Sequence, residues 1–156
     1  MPIIIDGYNL LRAVQNIEEY QRLDEAGLCR MVSEYLVRVR TFAQVIFDGI
    51  GPPDKSELGG IDHLEVYFSG EELEADDIIE EKIEEYSAPK NMVVVSSDRR
   101  IRAAATRRKS TSVPCDIFWI SMIEQLDKKK PIPMPKEKRH GLTESETDAW
   151  MDEFDF

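Results

Sequence analysis

Long apolar runs are absent from this 156-residue chain: none approaches the roughly 18–20 consecutive apolar residues that cross a bilayer, which excludes a spanning helix. The N-terminus lacks the basic region and small-residue cleavage site of a secretory signal. Cysteine is scarce. Cys29 and Cys115 are the only two, with no C-x-x-C spacing, which excludes a disulfide framework or a structural zinc site and points to a reducing, cytoplasmic compartment. Histidine is equally scarce: His63 and His140 stand outside any motif, which disfavours a ribonuclease-A-type pair of acid and base. No glycine-rich turn follows the first apolar run, so a dinucleotide-binding Rossmann domain is not expected. Positive charge is in deficit, 20 Lys+Arg against 31 Asp+Glu for a net of -11, and taken whole this argues against a nucleic-acid partner.

What is present suggests one globular α/β domain. Hydrophobic residues at 42% and charged residues at 33% suit a soluble fold, and the length suits a single core. The charge is unevenly spread. Residues 1–98 carry a net of -13, residues 99–140 a net of +8, and residues 141–156 a net of -6. Such asymmetry suggests faces with separate jobs, although charge runs are also common on plain solvated surface.

Ile3-Ile4-Ile5 reads as a buried strand stopped by Asp6-Gly7, followed by a short helical turn through Leu10, Leu11 and Val14. Asp24 suits an N-cap. Leu28, Met31, Val32, Tyr35, Leu36 and Val39 then follow the helical period. Further strands are expected at Phe42–Phe47, Leu64–Phe68, Val93–Val95 and Thr111–Val113, with a loop over 50–60. Helices are expected over 75–86, with Ile78, Ile79 and Ile83 inward, over 99–108 and over Ile117–Leu126. Strands alternating with helices predict a central, mostly parallel sheet flanked by helices. From Lys128 the composition changes: Pro131, Pro133 and Pro135 preclude regular structure, and 128–140 reads as a basic linker after a domain of residues 1–127. Residues 141–156 form an acidic tail, with a short helix expected over 143–154 carrying Trp150, Met151 and Phe154.

In parallel sheets, ligands bind beyond the carboxyl ends of the strands. Three of the expected strands end in aspartate, at Asp6, Asp48 and Asp98, and Glu74, Asp76 and Asp77 open the helix after the third strand. Each has an ordinary structural reading, as a turn residue or as an acid meeting a helix dipole. Gathered on one edge, however, they repel one another unless protonated or neutralised by a cation. An all-oxygen acidic site suits Mg²⁺ or Mn²⁺, which act on phosphate esters.

The same residues carry a family resemblance. Ile3-Ile4-Ile5-Asp6-Gly7-Tyr8-Asn9-Leu10-Leu11 resembles the opening signature of NYN domains, and Val45-Ile46-Phe47-Asp48-Gly49 resembles their second acidic strand end. Glu74-Ala75-Asp76-Asp77-Ile78-Ile79 resembles the alanine-aspartate segment of PIN-like and flap-type nucleases. Val94-Val95-Ser96-Ser97-Asp98-Arg99 resembles the strand end that supplies a further acid. Order and spacing over residues 2–126 resemble the YacP-like branch of NYN domains, although Glu74 stands where that branch often carries threonine. The resemblance implies a three-layer PIN-like fold and a metal-dependent endoribonuclease. It implies Asp6, Asp76 and Asp98 as core metal ligands, Asp48, Glu74 and Asp77 as outer or second-metal ligands, and Asn9 as the residue that orients a water or phosphate.

The phosphate chain needs positive charge that the acidic pocket lacks. Arg99, Arg100, Arg102, Arg107, Arg108 and Lys109 directly follow the fourth strand's aspartate and are the candidate RNA contacts. Tyr8 can stack on a base or pack beneath the first helix. The acidic tail can lie over the basic segment as an autoinhibitor or dock through Trp150 and Phe154. The alternative function is a catalytically silent RNA- or ribosome-binding module on the same fold. A phosphotransfer domain of the receiver or dehalogenase type is disfavoured, because position 8 is tyrosine where a second aspartate would stand. The substrate stays open among ribosome-presented messenger RNA, ribosomal RNA, transfer RNA and structured DNA, and so does the oligomeric state.

Overall fold

The structure is a computed structural model that describes residues 2–128. The acidic tail expected over 141–156 and, apart from Lys128, the linker expected over 128–140 lie outside the described residues. The described residues form five strands and five α-helices, which alternate except that α2 follows α1 and β3 follows β2: β1 (Ile3–Asp6), α1 (Gly7–Gln15), α2 (Glu25–Val39), β2 (Ala43–Phe47), β3 (Leu64–Phe68), α3 (Ala75–Glu85), β4 (Val93–Val95), α4 (Arg99–Arg107), β5 (Thr111–Val113) and α5 (Cys115–Asp127). Short 3₁₀ turns at Glu18–Tyr20, Ser56–Leu58 and Pro89–Asn91 were not foreseen from the sequence. The strands form one sheet in the order β3-β2-β1-β4-β5, and every pairing is parallel.

The chain builds outward from β1 to β3, then returns to the other side of β1 to lay down β4 and β5. The carboxyl ends of β1 and β4 therefore flank the point where the strand order reverses, which is where open parallel sheets form their ligand crevice. Central strands of such a sheet are covered on both faces and need apolar residues at successive positions. Ile3 and Ile5 join one core with Val45, Phe47, Val93 and Val95, beneath α1, α2 and α5. Ile4 points the other way and joins Ile46 and Val94 beneath α3 and α4. Three helices on one face and two on the other complete a three-layer α/β/α sandwich.

Local chemistry explains most element boundaries. Asp24 caps α2 as expected, its carboxylate accepting the Gly27 N–H at 2.7 Å. Ile79 and Ile83 of α3 are fully buried, whereas Ile78 is only half-buried at the margin of that core. Helix α5 starts at Cys115, two residues earlier than periodicity indicates, because Pro114 supplies an extended N-cap (φ -61°, ψ 150°).

The two Asp-Gly pairs read alike in sequence and act differently. Gly49 has φ +88°, a backbone conformation that favours glycine, and makes the turn after β2. Gly7 is no turn residue: β1 runs straight into α1, a nine-residue helix where the sequence suggested one short turn. A Cβ at Gly7 would lie 2.5 Å from Cδ1 of Phe47, so glycine is needed there for close approach between helix and sheet.

Candidate functional site

Asp6 ends β1 and is buried, with 7% of its surface exposed. Its Oδ2 accepts the Ser96 hydroxyl proton at 3.0 Å, while the Ser96 Oγ accepts the Asp98 N–H at 3.1 Å. A single buried hydroxyl thus ties the ends of β1 and β4 together across the reversal of strand order. Asp98 caps α4, its Oδ1 accepting the Arg100 N–H at 2.8 Å. Asp76 lies in the first turn of α3, half-buried.

The electrostatics record the approach of these three carboxyls. Burial pushes the Asp6 carboxyl up to about 6 against the helping Ser96 bond, and the charges of Asp76 and Asp98 push it the same way. Asp76 is raised by burial first and then by Asp98. Both groups resist ionising because they are buried beside other acids, which the charges of Arg12 and Arg100 offset only in part. Electrostatic coupling reaches farther than coordination: among the described residues, no three Asp, Glu, His or Cys side chains stand close enough to form a ready metal cage. In kind and charge, the donor set of Asp6, Asp76 and Asp98 fits a hard divalent cation, being all oxygen and short of positive charge.

The other expected ligands also hold structure, and the charges of Glu74 and Asp48 add to the rise at Asp76. Asp48 Oδ1 accepts the Ala75 N–H at 3.0 Å and the Ser69 hydroxyl at 3.4 Å, fastening the start of α3 to the end of β2. Asp77 Oδ2 accepts the Glu74 N–H at 3.1 Å, and its Oδ1 accepts from Arg100 at 2.8 Å. The Arg100 bond, then the Glu74 N–H, hold the Asp77 carboxyl below its usual range. Glu74 is the exposed N-cap of α3.

The basic segment divides in the same way. Arg100 is clamped between Asp77 and Glu80, with Nε 2.7 Å from Glu80 Oε1. Arg108 reaches across to the C-terminal end of α3, donating to the carbonyls of Tyr86 at 2.9 Å and Ile83 at 3.4 Å. Arg102 is exposed and donates to Ser112 Oγ at 3.4 Å. Arg99, Arg107 and Lys109 are exposed and form no ion pair among the described residues. Arg99 adjoins Asp98, but α4 leads away from the acidic edge. Arg107, Arg108 and Lys109 are therefore about 13 Å along the helix rather than beside the acids. The Tyr8 ring lies 4.9 Å from Phe47 at 60°, half-buried against the core.

Three residues of the site were not singled out as functional from the sequence. Ser96 and Ser97 precede Asp98, where a hydroxyl beside a strand-end acid is a recognisable signal. Cys115 gave none. An exposed position was open to it, yet it is fully buried, and its thiol lies 3.1 Å from Asn9 Oδ1 across 106 residues of sequence. A cavity of about 520 Å³ opens elsewhere, at the amino ends of the strands, lined by Pro2, Phe42, His63 and Lys82 among others. It shares no residue with the acidic edge.

A fully parallel five-stranded sheet with aspartates at its strand-order reversal is an α/β domain with an acidic ligand edge, the class of fold to which PIN-like domains belong. The chain belongs to the YacP-like NYN domain family, whose model matches residues 3–154. It is similar in structure to crystal structures of Rae1 (YacP) from Bacillus subtilis. One matches with a TM-score of 0.68 at 18% identity, covering 96% of this chain and 85% of that chain. Another, of a tryptophan-to-leucine mutant, matches with a TM-score of 0.61 at 19% identity, covering 97% and 98% respectively. No curated protein matches the chain.

Proposed function

We propose that this chain is a divalent-metal-dependent endoribonuclease, hydrolysing RNA phosphodiester bonds with water as the nucleophile. The observation that carries this reading is the electrostatic coupling of Asp6, Asp76 and Asp98 beyond the carboxyl ends of the strands, with Asp6 and Asp76 both held reluctant to ionise. A protein that only bound RNA would gain nothing from buried, mutually repelling acids facing an anionic ligand. Asp6, Asp76 and Asp98 would hold Mg²⁺ or Mn²⁺. When bound there, such an ion neutralises the cluster, withdraws charge from the phosphate and makes a water acidic enough to attack at neutral pH. The chain's own contribution is positional. Ser96 aims the Asp6 carboxylate and fixes the Asp98 backbone, so two acids from distant strands keep one spacing. Arg99 and Arg102, exposed at the start of α4, meet the phosphates on either side of the cleaved bond.

The deciding experiment incubates labelled single-stranded RNA and DNA with Mn²⁺ or Mg²⁺ and the wild-type, Asp6→Asn and Asp98→Asn proteins. The expected result is RNA cleavage that falls more than about a hundredfold in each variant, since residues behind metal ligands alone cost 10–100-fold. Cleavage indifferent to both substitutions removes the mechanism. RNA binding without cleavage favours the silent binding module.

A further inference from the structure

Asn9 lies in the first turn of α1, three residues beyond Asp6. Its Oδ1 accepts two hydrogen bonds, from the Ser97 backbone N–H at 2.8 Å and from the Cys115 thiol at 3.1 Å. These donors settle which end of the carboxamide is oxygen. A backbone N–H always donates and cannot face an NH₂ group. The Nδ2 group must therefore point away from both, and it makes no hydrogen bond to protein among the described residues, on a side chain only half-buried. Cys115 is doubly tied, because its own N–H donates to Ser97 Oγ at 3.0 Å. The thiol is fully buried, and burial pushes it up to about 11, so it keeps its proton and acts as a donor at neutral pH. The β1–α1 junction, the β4–α4 turn and the start of α5 thus converge on one oxygen atom.

We propose that Cys115 is a positioning residue: with the Ser97 N–H it locks the Asn9 carboxamide so that Asn9 offers its NH₂ group, not its carbonyl oxygen, to a substrate phosphate beside Asp98. The proposal rests on the nuclease reading and sharpens it. Asn9 is then a hydrogen-bond donor to an anion and not an oxygen ligand of the cation, since both bonds to its oxygen come from the protein.

The test compares wild type with Cys115→Ala, Cys115→Ser, Asn9→Ala and Asn9→Asp, measuring kcat and KM on one single-stranded RNA with Mn²⁺, and Tm for each protein. Cys115→Ala should lose about tenfold in kcat/KM, and Cys115→Ser, which keeps a donor, should recover to within about threefold. Asn9→Asp accepts the same two bonds but has no N–H to offer, and should lose as much as Asn9→Ala. If Asn9→Asp cleaves like wild type, or Cys115→Ala does, the lock is overturned. Should wild type not cleave at all, the endoribonuclease reading fails, and the lock is decided separately by the side-chain ¹⁵N–¹H signals of Asn9, assigned by their loss in Asn9→Asp. Movement of those signals on titration with the same RNA in Mg²⁺, reduced in Cys115→Ala and restored in Cys115→Ser, supports the proposal. Signals that stay in place throughout the titration overturn it.

Discussion

Asp6 is where burial and function conflict. A carboxyl pushed from 3.8 to about 6 binds its proton more tightly in the folded protein than in the unfolded chain. Its contribution to stability is complete below the unfolded value and is lost as pH rises through the folded one. Without metal, the ionised Asp6 therefore costs the fold about 1–3 kcal/mol at neutral pH. We expect Asp6→Asn, measured in EDTA, to raise Tm at pH 7–8, with the difference vanishing below about pH 4. A variant that melts lower at pH 8 would contradict the assignment. In the wild type, millimolar Mn²⁺ should raise Tm by binding the folded state alone, and it should not do so in Asp6→Asn. Gly7 is a constraint of another kind. With a would-be Cβ 2.5 Å from the Phe47 ring, Gly7→Ala should destabilise by about 1–3 kcal/mol, seen as a lower urea midpoint with unchanged m-value.

The cations of α4 divide between those tied into the fold and those left exposed. Arg100 joins α4 to α3 through Asp77 and Glu80, and Arg108 joins them again at the opposite end. Exposed ion pairs contribute little to stability, so Arg100→Ala should be mild in stability and should leave the salt dependence of RNA binding unchanged. Arg108→Ala frees two carbonyls at the end of α3 and should cost about 1–2 kcal/mol. Arg99→Ala and Arg102→Ala should each weaken RNA binding and reduce the slope of log affinity against log salt by about 1. If Arg100→Ala moves that slope as much as these two do, the division is wrong. Residues adjacent in sequence fall into opposite groups because α4 presents successive side chains about 100° apart.

For the molecule as a whole, the net charge of -11 is a sum over parts with different roles. The acids at the sheet edge form the candidate metal site, and the cations start one residue after Asp98. A chain with this balance should bind bare RNA weakly and with strong salt dependence. Removing residues 141–156, which carry a net of -6, should raise RNA affinity at low salt, and an unchanged affinity would remove any autoinhibitory role for that segment. No helix among the described residues is long and apolar enough to cross a membrane, in line with the lack of long apolar runs.

The architecture was legible in the sequence because its signals are local. Ile3-Ile4-Ile5 and Val93-Val94-Val95 are β-branched runs stopped by polar residues, the stripe of α2 follows the helical period, and each strand-end acid sits beside the strand that carries it. Which groups hold each acid was decided by tertiary structure, since the strand order puts Asp6 beside Ser96 while Asp48 and Asp77 accept hydrogen bonds at the start of α3. The same holds for the cations, where Arg100 and Arg108 are taken up by contacts that spacing does not reveal. The sequence by itself determined the class of fold and the edge where the acids gather, because periodicity and strand ends are written in neighbouring residues. Only the tertiary structure decided the Ser96 bridge and the lock of Asn9 by Ser97 and Cys115, because a hydrogen bond spanning about a hundred residues depends on how strands are ordered and helices seated.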